Sequence, residues 1–257
     1  MPAVTLDLWH TLIYLPPEAE EAYMNNQVRM GTEVLRSAPR IPGARDLPEP
    51  ELRRAFERAY AGAVTASTEG KTVTPTEQLL RAARETGRHA DPKQYLAMLK
   101  HEIETTQFRR ADGALELLAD LRDGGYRVAI ISNTVGEPGA FLRPVLSSMG
   151  FDRFVESYVF SDEHPWTKPS PEIFRYALDS VEETPADAVH VGDGWSDLEG
   201  AHRAQYRGAI LFTGLHEYGA QYSKLFLPGV PEDPHTSYRT DRLAEVGPMV
   251  RRLLPPT

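Results

Sequence analysis

Asp7 closes a greasy run in "TLDLWHTL", with Thr11 four residues further on. The pattern places a carboxylate at the end of a buried strand. Three later segments end in polar groups that could work with it. "IISNT" offers Ser132, Asn133 and Thr134, and "TKPSPEIF" puts Lys168 just before a proline-rich helix start. "VGDGWSDLEGA" carries Asp193 and, four residues on, Asp197. Together they supply one nucleophilic carboxylate, hydroxyl and backbone donors, one cation and a pair of acids. That inventory suits an anionic group bound beside a divalent metal ion.

The elements that must position these groups can be read from periodicity and turn chemistry. "AVTLDL" reads as a short buried strand. From about Pro16 to Phe108 the pattern is helical, with no convincing strand. Four helical segments fill this block: "PPEAEEAYMNNQVRMGTEVLRSA", "EPELRRAFERAYAGAVTA", "TPTEQLLRAARETG" and "DPKQYLAMLKHEIETTQF". The third opens with Thr74 and carries Glu77 three residues on, a capping box, and the fourth offers Asp91 as an N-cap.

Beyond this block strand and helix alternate. "GALELLADLRDGG" is an amphipathic helix, "YRVAIISNT" and "FVESYVF" are strands, and "SPEIFRYALDSV" is a helix. Strand "AVHVGDG", helix "DLEGAHRAQ" and strand "GAILFT" follow. A Pro- and Gly-containing stretch then runs to about residue 236, before strand "TSYRT" and helix "RLAEVGPMVRRLL". Alternation of this kind predicts an α/β fold, a mostly parallel sheet with helices on both faces. The helical block is then an insertion after the first strand. In an open parallel sheet, ligands bind beyond the carboxyl ends of the strands, where all four polar segments fall.

Composition limits the partners. Thirty-seven acidic against 28 basic residues give a formal charge of −9, which argues against broad, sequence-independent binding to nucleic acid. A small anionic substrate is still compatible, because a metal ion and one lysine reverse the field locally. The absence of cysteine excludes disulfides, thiolate zinc sites and cysteine nucleophiles. No apolar run approaches the ~20 residues that span a bilayer, and Asp7 and His10 interrupt the greasy segment near the N-terminus. No membrane association is expected, and a cytoplasmic location is. Oligomeric state is not legible.

In order and chemistry, "LDLWHTL", "IISNT", "TKPSPEIF" and "VGDGWSDLEGA" resemble the four motifs of the haloacid dehalogenase superfamily of hydrolases. The helical insertion resembles that family's cap. The resemblance implies a Rossmann-like three-layer core of residues 1–14 and 110–257, with a helical cap over 15–109. It implies a hydrolase that attacks a small, anionic, phosphorylated metabolite through an aspartyl-phosphate on Asp7, with Mg²⁺ as cofactor. By the same resemblance, Ser132 and the backbone N–H of Asn133 bind the transferring phosphoryl group. Lys168 neutralises Asp7 and the substrate oxygens. Asp193, Asp7 and the backbone carbonyl of Trp9 hold the metal, with Asp197 in support.

Trp9 departs from the phosphatase pattern, in which an aspartate protonates the leaving group and later activates water. An indole N–H donates only and cannot shuttle a proton at neutral pH. Metal-independent dehalogenases of the family carry an aromatic residue, typically tyrosine, at this position. Their fourth motif, however, usually lacks the first acid, which this chain keeps as Asp193. Carbon–halogen hydrolysis and weakly catalytic binding of a phospho-ligand are therefore the alternatives. His10 titrates near neutrality, but in an extended segment it would project away from Asp7. Trp195 is expected at the cap interface or in the core. In the cap, solvated helix faces are the expectation for Arg29, Lys71 and Tyr95, ahead of substrate contact.

Overall fold

The computed structural model describes residues 1–216 and 235–255. In it, β1 (Ala3–Leu6) and β2 (Ile13–Tyr14) lead into α1 (Pro17–Ser37), α2 (Glu49–Thr68), α3 (Pro75–Thr86) and α4 (Pro92–Thr105). The chain returns through β3 (Arg109–Arg110), α5 (Ala114–Asp123) and β4 (Arg127–Ser132). Next come α6 (Gly139–Ser148), β5 (Ser157–Phe160), α7 (Pro171–Asp179), β6 (Ala188–Gly192) and α8 (Trp195–Arg203). β7 (Gly208–Phe212), β8 (Tyr238–Thr240) and α9 (Leu243–Leu253) complete the described elements. Most of the expected Pro- and Gly-containing stretch before β8 lies outside the described residues.

Six strands form one sheet in the order β5-β4-β1-β6-β7-β8, every pair parallel. The expected α/β architecture is present. Alternation within the strands builds its two faces. Val4, Leu6, Val128, Ile130, Val189, Val191 and Ile210 pack on one side with leucines of α5 and α6 and with Val246 and Val250 of α9. Ala129, Ile131, Ala188 and Leu211 point the other way, onto Ile173, Phe174 and Leu178 of α7 and Leu198 of α8. Helices on both faces leave the strand ends as the open edge.

Helices α1–α4 gather a hydrophobic cluster around Val34, Phe56, Leu79, Tyr95 and Leu99, which Val135 joins from beyond β4. The capping box at Thr74 and Glu77 forms as the sequence predicts, and the Asp91 side chain accepts from the Lys93 N–H at 2.9 Å. The chain enters and leaves this block through a two-stranded antiparallel ribbon that pairs Ile13 with Arg110 and Tyr14 with Arg109. Two-residue strands carry no usable period, so the sequence gives no sign of this ribbon. It also gives no sign of α6, which begins at Gly139 and contains Pro144. Tyr95, expected on a solvated face, is fully buried and meets Phe56 edge-on. Arg29 and Lys71 are solvent-facing, paired with Glu33 and Glu69.

Candidate active site

β1 and β6 are hydrogen-bonded neighbours at the middle of the sheet, and their ends deliver the acids. The Asp7 N–H continues the ladder to the Val191 carbonyl at 2.8 Å, which fixes the backbone where the strand stops. The chain then turns sharply: the Ile13 N–H donates to the Leu8 carbonyl and the His10 N–H to the Ile13 carbonyl. His10 takes a left-handed φ of 56° within this turn. Among the described residues no backbone hydrogen bond ends on the Trp9 carbonyl.

Asp7, Asp193 and Asp197 offer carboxylate oxygens that all lie within 4.8 Å of one another. Lys168, only 2% exposed, donates to Asp7 Oδ1 and, at 2.7 Å, to Asp197 Oδ1. Its placement is secured by Asn133, whose Oδ1 accepts from the Lys168 N–H at 2.8 Å and whose Nδ2 donates to the Lys168 carbonyl at 3.1 Å. Thr11 Oγ1 reaches Asp7 Oδ2 at 3.4 Å. Ser132 is fully buried, and its hydroxyl has no hydrogen-bond partner among the described residues. A buried hydroxyl left unsatisfied is costly, which suits one that binds a ligand oxygen.

Asp197 is the most firmly held acid. It accepts from Lys168 and from His190 Nε2 (3.0 Å) on Oδ1, and from the Gly194 N–H (3.2 Å) on Oδ2. Burial alone would raise its pKa, but Lys168 and His190 outweigh it and hold the carboxyl down to about 2. His190 is oriented by Thr5, whose Oγ1 lies 2.7 Å from Nδ1. With Nε2 donating to Asp197 and Nδ1 accepting from Thr5, both ring nitrogens of His190 are satisfied. Nothing in the sequence distinguishes His190 from a packed strand histidine.

Asp193 is the opposite case. Burial, then the charge of Asp7, push its pKa up to about 8, with His10 opposing. Burial likewise raises Asp7, against the pull of Lys168. One lysine facing three acids leaves negative charge uncompensated, and a hard divalent cation with oxygen ligands answers that deficit. The donor chemistry fits Mg²⁺: the Asp193 carboxylate and the Trp9 carbonyl stand outside the hydrogen bonds among the described residues and Asp7 Oδ2 has the long Thr11 contact, whereas both oxygens of Asp197 are committed.

His10 does not project away. Its left-handed backbone swings the ring toward the acids, with Nδ1 4.0 Å from Asp193 Oδ2. Nε2 lies 3.0 Å from Glu20 Oε1, on α1. An extended reading of "DLWHT" could not anticipate that turn. The Trp9 indole packs edge-on against Phe108, ring centres 5.5 Å apart, and its buried Nε1 has no hydrogen-bond partner among the described residues. Trp195 is half-buried at the start of α8, with the Arg203 guanidinium 5.9 Å over its ring. The structure thus brings Asp7, Ser132, Asn133, Lys168, Asp193, Asp197 and His10 to one end of the sheet, with Trp9 beside them.

Comparison with known proteins places this arrangement. A family model described as haloacid dehalogenase-like hydrolase matches residues 1–205. A phosphoglycolate phosphatase of Colwellia psychrerythraea is 29% identical over 117 residues, 43% of this chain and 50% of the relative. The chain spans half or less of the length of the first curated relatives it matches. A HAD phosphatase from Thermococcus onnurineus superposes with a TM-score of 0.61 at 19% identity, over 100% of this chain and 99% of that one. An L-2-haloacid dehalogenase from Xanthobacter autotrophicus, with chloropropionic acid covalently bound, gives 0.62 at 15% identity over 98% of each chain. At these identities the two structures establish the shared fold. Among the described residues no helix is long and apolar enough to cross a membrane.

Proposed function

The chain belongs to the haloacid dehalogenase-like hydrolases, and within that family we propose that it is a Mg²⁺-dependent phosphatase acting on a small phosphorylated metabolite through an aspartyl-phosphate on Asp7. The observation that carries this reading is the cluster of Asp7, Asp193 and Asp197 around a single buried lysine. Such a cluster is short of positive charge, which a divalent cation would supply and an anionic phosphoryl group would then share.

In this proposal Asp7 Oδ attacks phosphorus, forming an O–P bond as the bond to the leaving oxygen breaks. Lys168 keeps Asp7 ionised and neutralises a phosphoryl oxygen. Ser132 donates its free hydroxyl to another, and Asn133 holds the Lys168 backbone in register. Asp7, Asp193 and the Trp9 carbonyl would hold Mg²⁺, which when bound would supply charge neutralisation. Asp197 secures Lys168 instead of giving the metal a free oxygen. Residues 15–109 act as a cap over a core of residues 1–14 and 110–257, closing the site against water.

Trp9 leaves the attacking machinery in place and removes the usual proton carrier, which costs about 10²–10⁴-fold in rate. A slow phosphatase with a long-lived intermediate is the consequence. Trp9 also favours a second reading, hydrolysis of a carbon–halogen bond, in which the leaving halide needs no proton. The test is a panel of phosphate esters and 2-haloacids, each with and without Mg²⁺. Mg²⁺-dependent release of phosphate supports the phosphatase. Halide release that survives complete chelation supports the second reading and removes the first.

A further inference from the structure

The turn between α2 and α3 lies directly on the loop that carries Lys168, between β5 and α7. The Thr167 N–H donates to the Gly70 carbonyl at 3.2 Å, and Lys71 pairs with Trp166 in an isolated antiparallel bridge. Thr72 Oγ1 donates to the Ser161 carbonyl at 2.9 Å. Gly70 takes a left-handed φ of 80°, and a Cβ on it would stand 3.2 Å from Ser170 Cβ. The torsion and the close approach both call for glycine.

Ser67, in the last turn of α2, completes this junction. Its hydroxyl accepts from Asn133 Nδ2 at 3.3 Å and lies 3.5 Å from Thr167 Oγ1. An amide nitrogen has two protons to give. Asn133 gives one to the Lys168 carbonyl and the other to Ser67, while its Oδ1 accepts from the Lys168 N–H. That N–H can only donate, which fixes the way the amide points. Thr167, only 1% exposed, is held twice, its backbone by Gly70 and its side chain by Ser67. Asn133 and Thr167, which set the backbone of Lys168, are thus fastened to the inserted helical block as well as to the sheet.

We infer that Ser67 is a positioning residue for the reaction: through Asn133 and Thr167 it holds Lys168 on Asp7 and Asp197, without itself touching the substrate. The inference rests on the phosphatase reading above for the step that Lys168 serves. Loss of the Ser67 hydroxyl deprives one Asn133 proton and the buried Thr167 hydroxyl of their partner, which is unfavourable. The loop then gains freedom, and the ammonium is less often in place. Orientation of this kind acts on the chemical step, so kcat falls while KM stays. The hydroxyl carries the effect, so threonine serves in place of serine and alanine does not.

Amide hydrogen exchange, together with kinetics on an aryl phosphate and Mg²⁺, tests this in Ser67→Ala, Ser67→Thr, Asn133→Ala and the Ser67→Ala/Asn133→Ala double variant. Circular dichroism checks that each is folded. In Ser67→Ala the amides of the β5–α7 loop should exchange at least about threefold faster, and kcat should fall about 3–10-fold with KM unchanged. Ser67→Thr should keep both at the parent's level. Because the two residues act on one lysine, the double variant should lose less than the product of the single losses. Fully multiplicative losses would mean independent roles and overturn the inference. So would exchange in Ser67→Ala no faster than the parent's, or a loss expressed in KM alone, which would make Ser67 a substrate contact. Absence of turnover in the parent, with the loop still loosened in Ser67→Ala, removes the phosphatase reading and leaves Ser67 as the holder of Lys168.

Discussion

His10 Nε2 sits 3.0 Å from Glu20 Oε1, joining the loop behind Asp7 to the first helix of the inserted block. Burial disfavours the imidazolium, but the Glu20 hydrogen bond and then Asp193 outweigh it and raise the His10 pKa. A raised pKa stabilises the fold fully below the unfolded value of about 6.5, and that contribution disappears as pH rises through the folded value. Glu20→Gln should therefore cost about 1–3 kcal/mol near pH 6 and less near pH 9. Urea unfolding at the two pH values checks this. An equal deficit at both would mean that the pair contributes no charge.

Asp193 gives the second pH dependence, of the same sign but over a different pH window. Its pKa, raised by burial and Asp7 to about 8, means that the metal-free protein keeps a proton there which the unfolded chain releases near 4. The stability of the metal-free protein should therefore fall as pH rises from about 4 to about 8. Mg²⁺ must displace the same proton. Calorimetry in buffers of different ionisation enthalpy should show about one proton released per Mg²⁺ near pH 6.5 and about none near pH 9.5. Asp193→Asn should abolish the release and weaken Mg²⁺ binding without unfolding the protein. Buffer-independent heats at pH 6.5 would contradict the assignment.

Asn133 is assigned to hold Lys168 through its backbone instead of touching the nucleophile. Asn133→Ala removes two hydrogen bonds at 2.8 and 3.1 Å and frees the loop that carries the lysine. Misplacement of such a group by about 1 Å costs on the order of 10²-fold. The expected loss in kcat is about 10–100-fold on an aryl phosphate, with circular dichroism unchanged. Loss of activity only through KM would relocate Asn133 to substrate binding.

Packing behind the site is equally specific. A Cβ on Gly200 of α8 would lie 2.1 Å from Phe174 Cε2 on α7, and the Phe174 ring in turn meets His190 edge-on at 5.0 Å. Gly200→Ala should destabilise by about 1–3 kcal/mol through overpacking. Phe174→Leu makes room, so the double variant should lose less than the two single changes added together, a difference read directly from thermal melts.

Much of this site was legible because its parts are local. Asp7, Ser132, Asp193 and Lys168 each sit where a hydrophobic run stops or a proline-rich turn begins, and the sheet brings those stops to one edge. The unforeseen parts depend on distant partners or on a single backbone torsion. His10 faces the acids only because its φ is positive. His190 matters only because Thr5 and Asp197 lie on either side of its ring. The pairing of Gln27 with Glu137 spans 110 residues, and no periodicity in the sequence foreshadows it. Helix α6 was hidden by Gly139 and Pro144, which local propensity reads as breakers.

The central claim is that Asp7 carries the phosphoryl group and that Trp9 slows its release. The most direct measurement is peptide mass mapping after a brief incubation with acetyl phosphate and Mg²⁺, made on the parent, Trp9→Asp and Asp7→Asn proteins. The account predicts a phosphorylated Asp7 peptide that accumulates in the parent and decays faster, with higher turnover, in Trp9→Asp; Asp7→Asn should show none. An unmodified Asp7 in the parent, together with turnover in a well-folded Trp9→Asp protein no greater than the parent's, would contradict it.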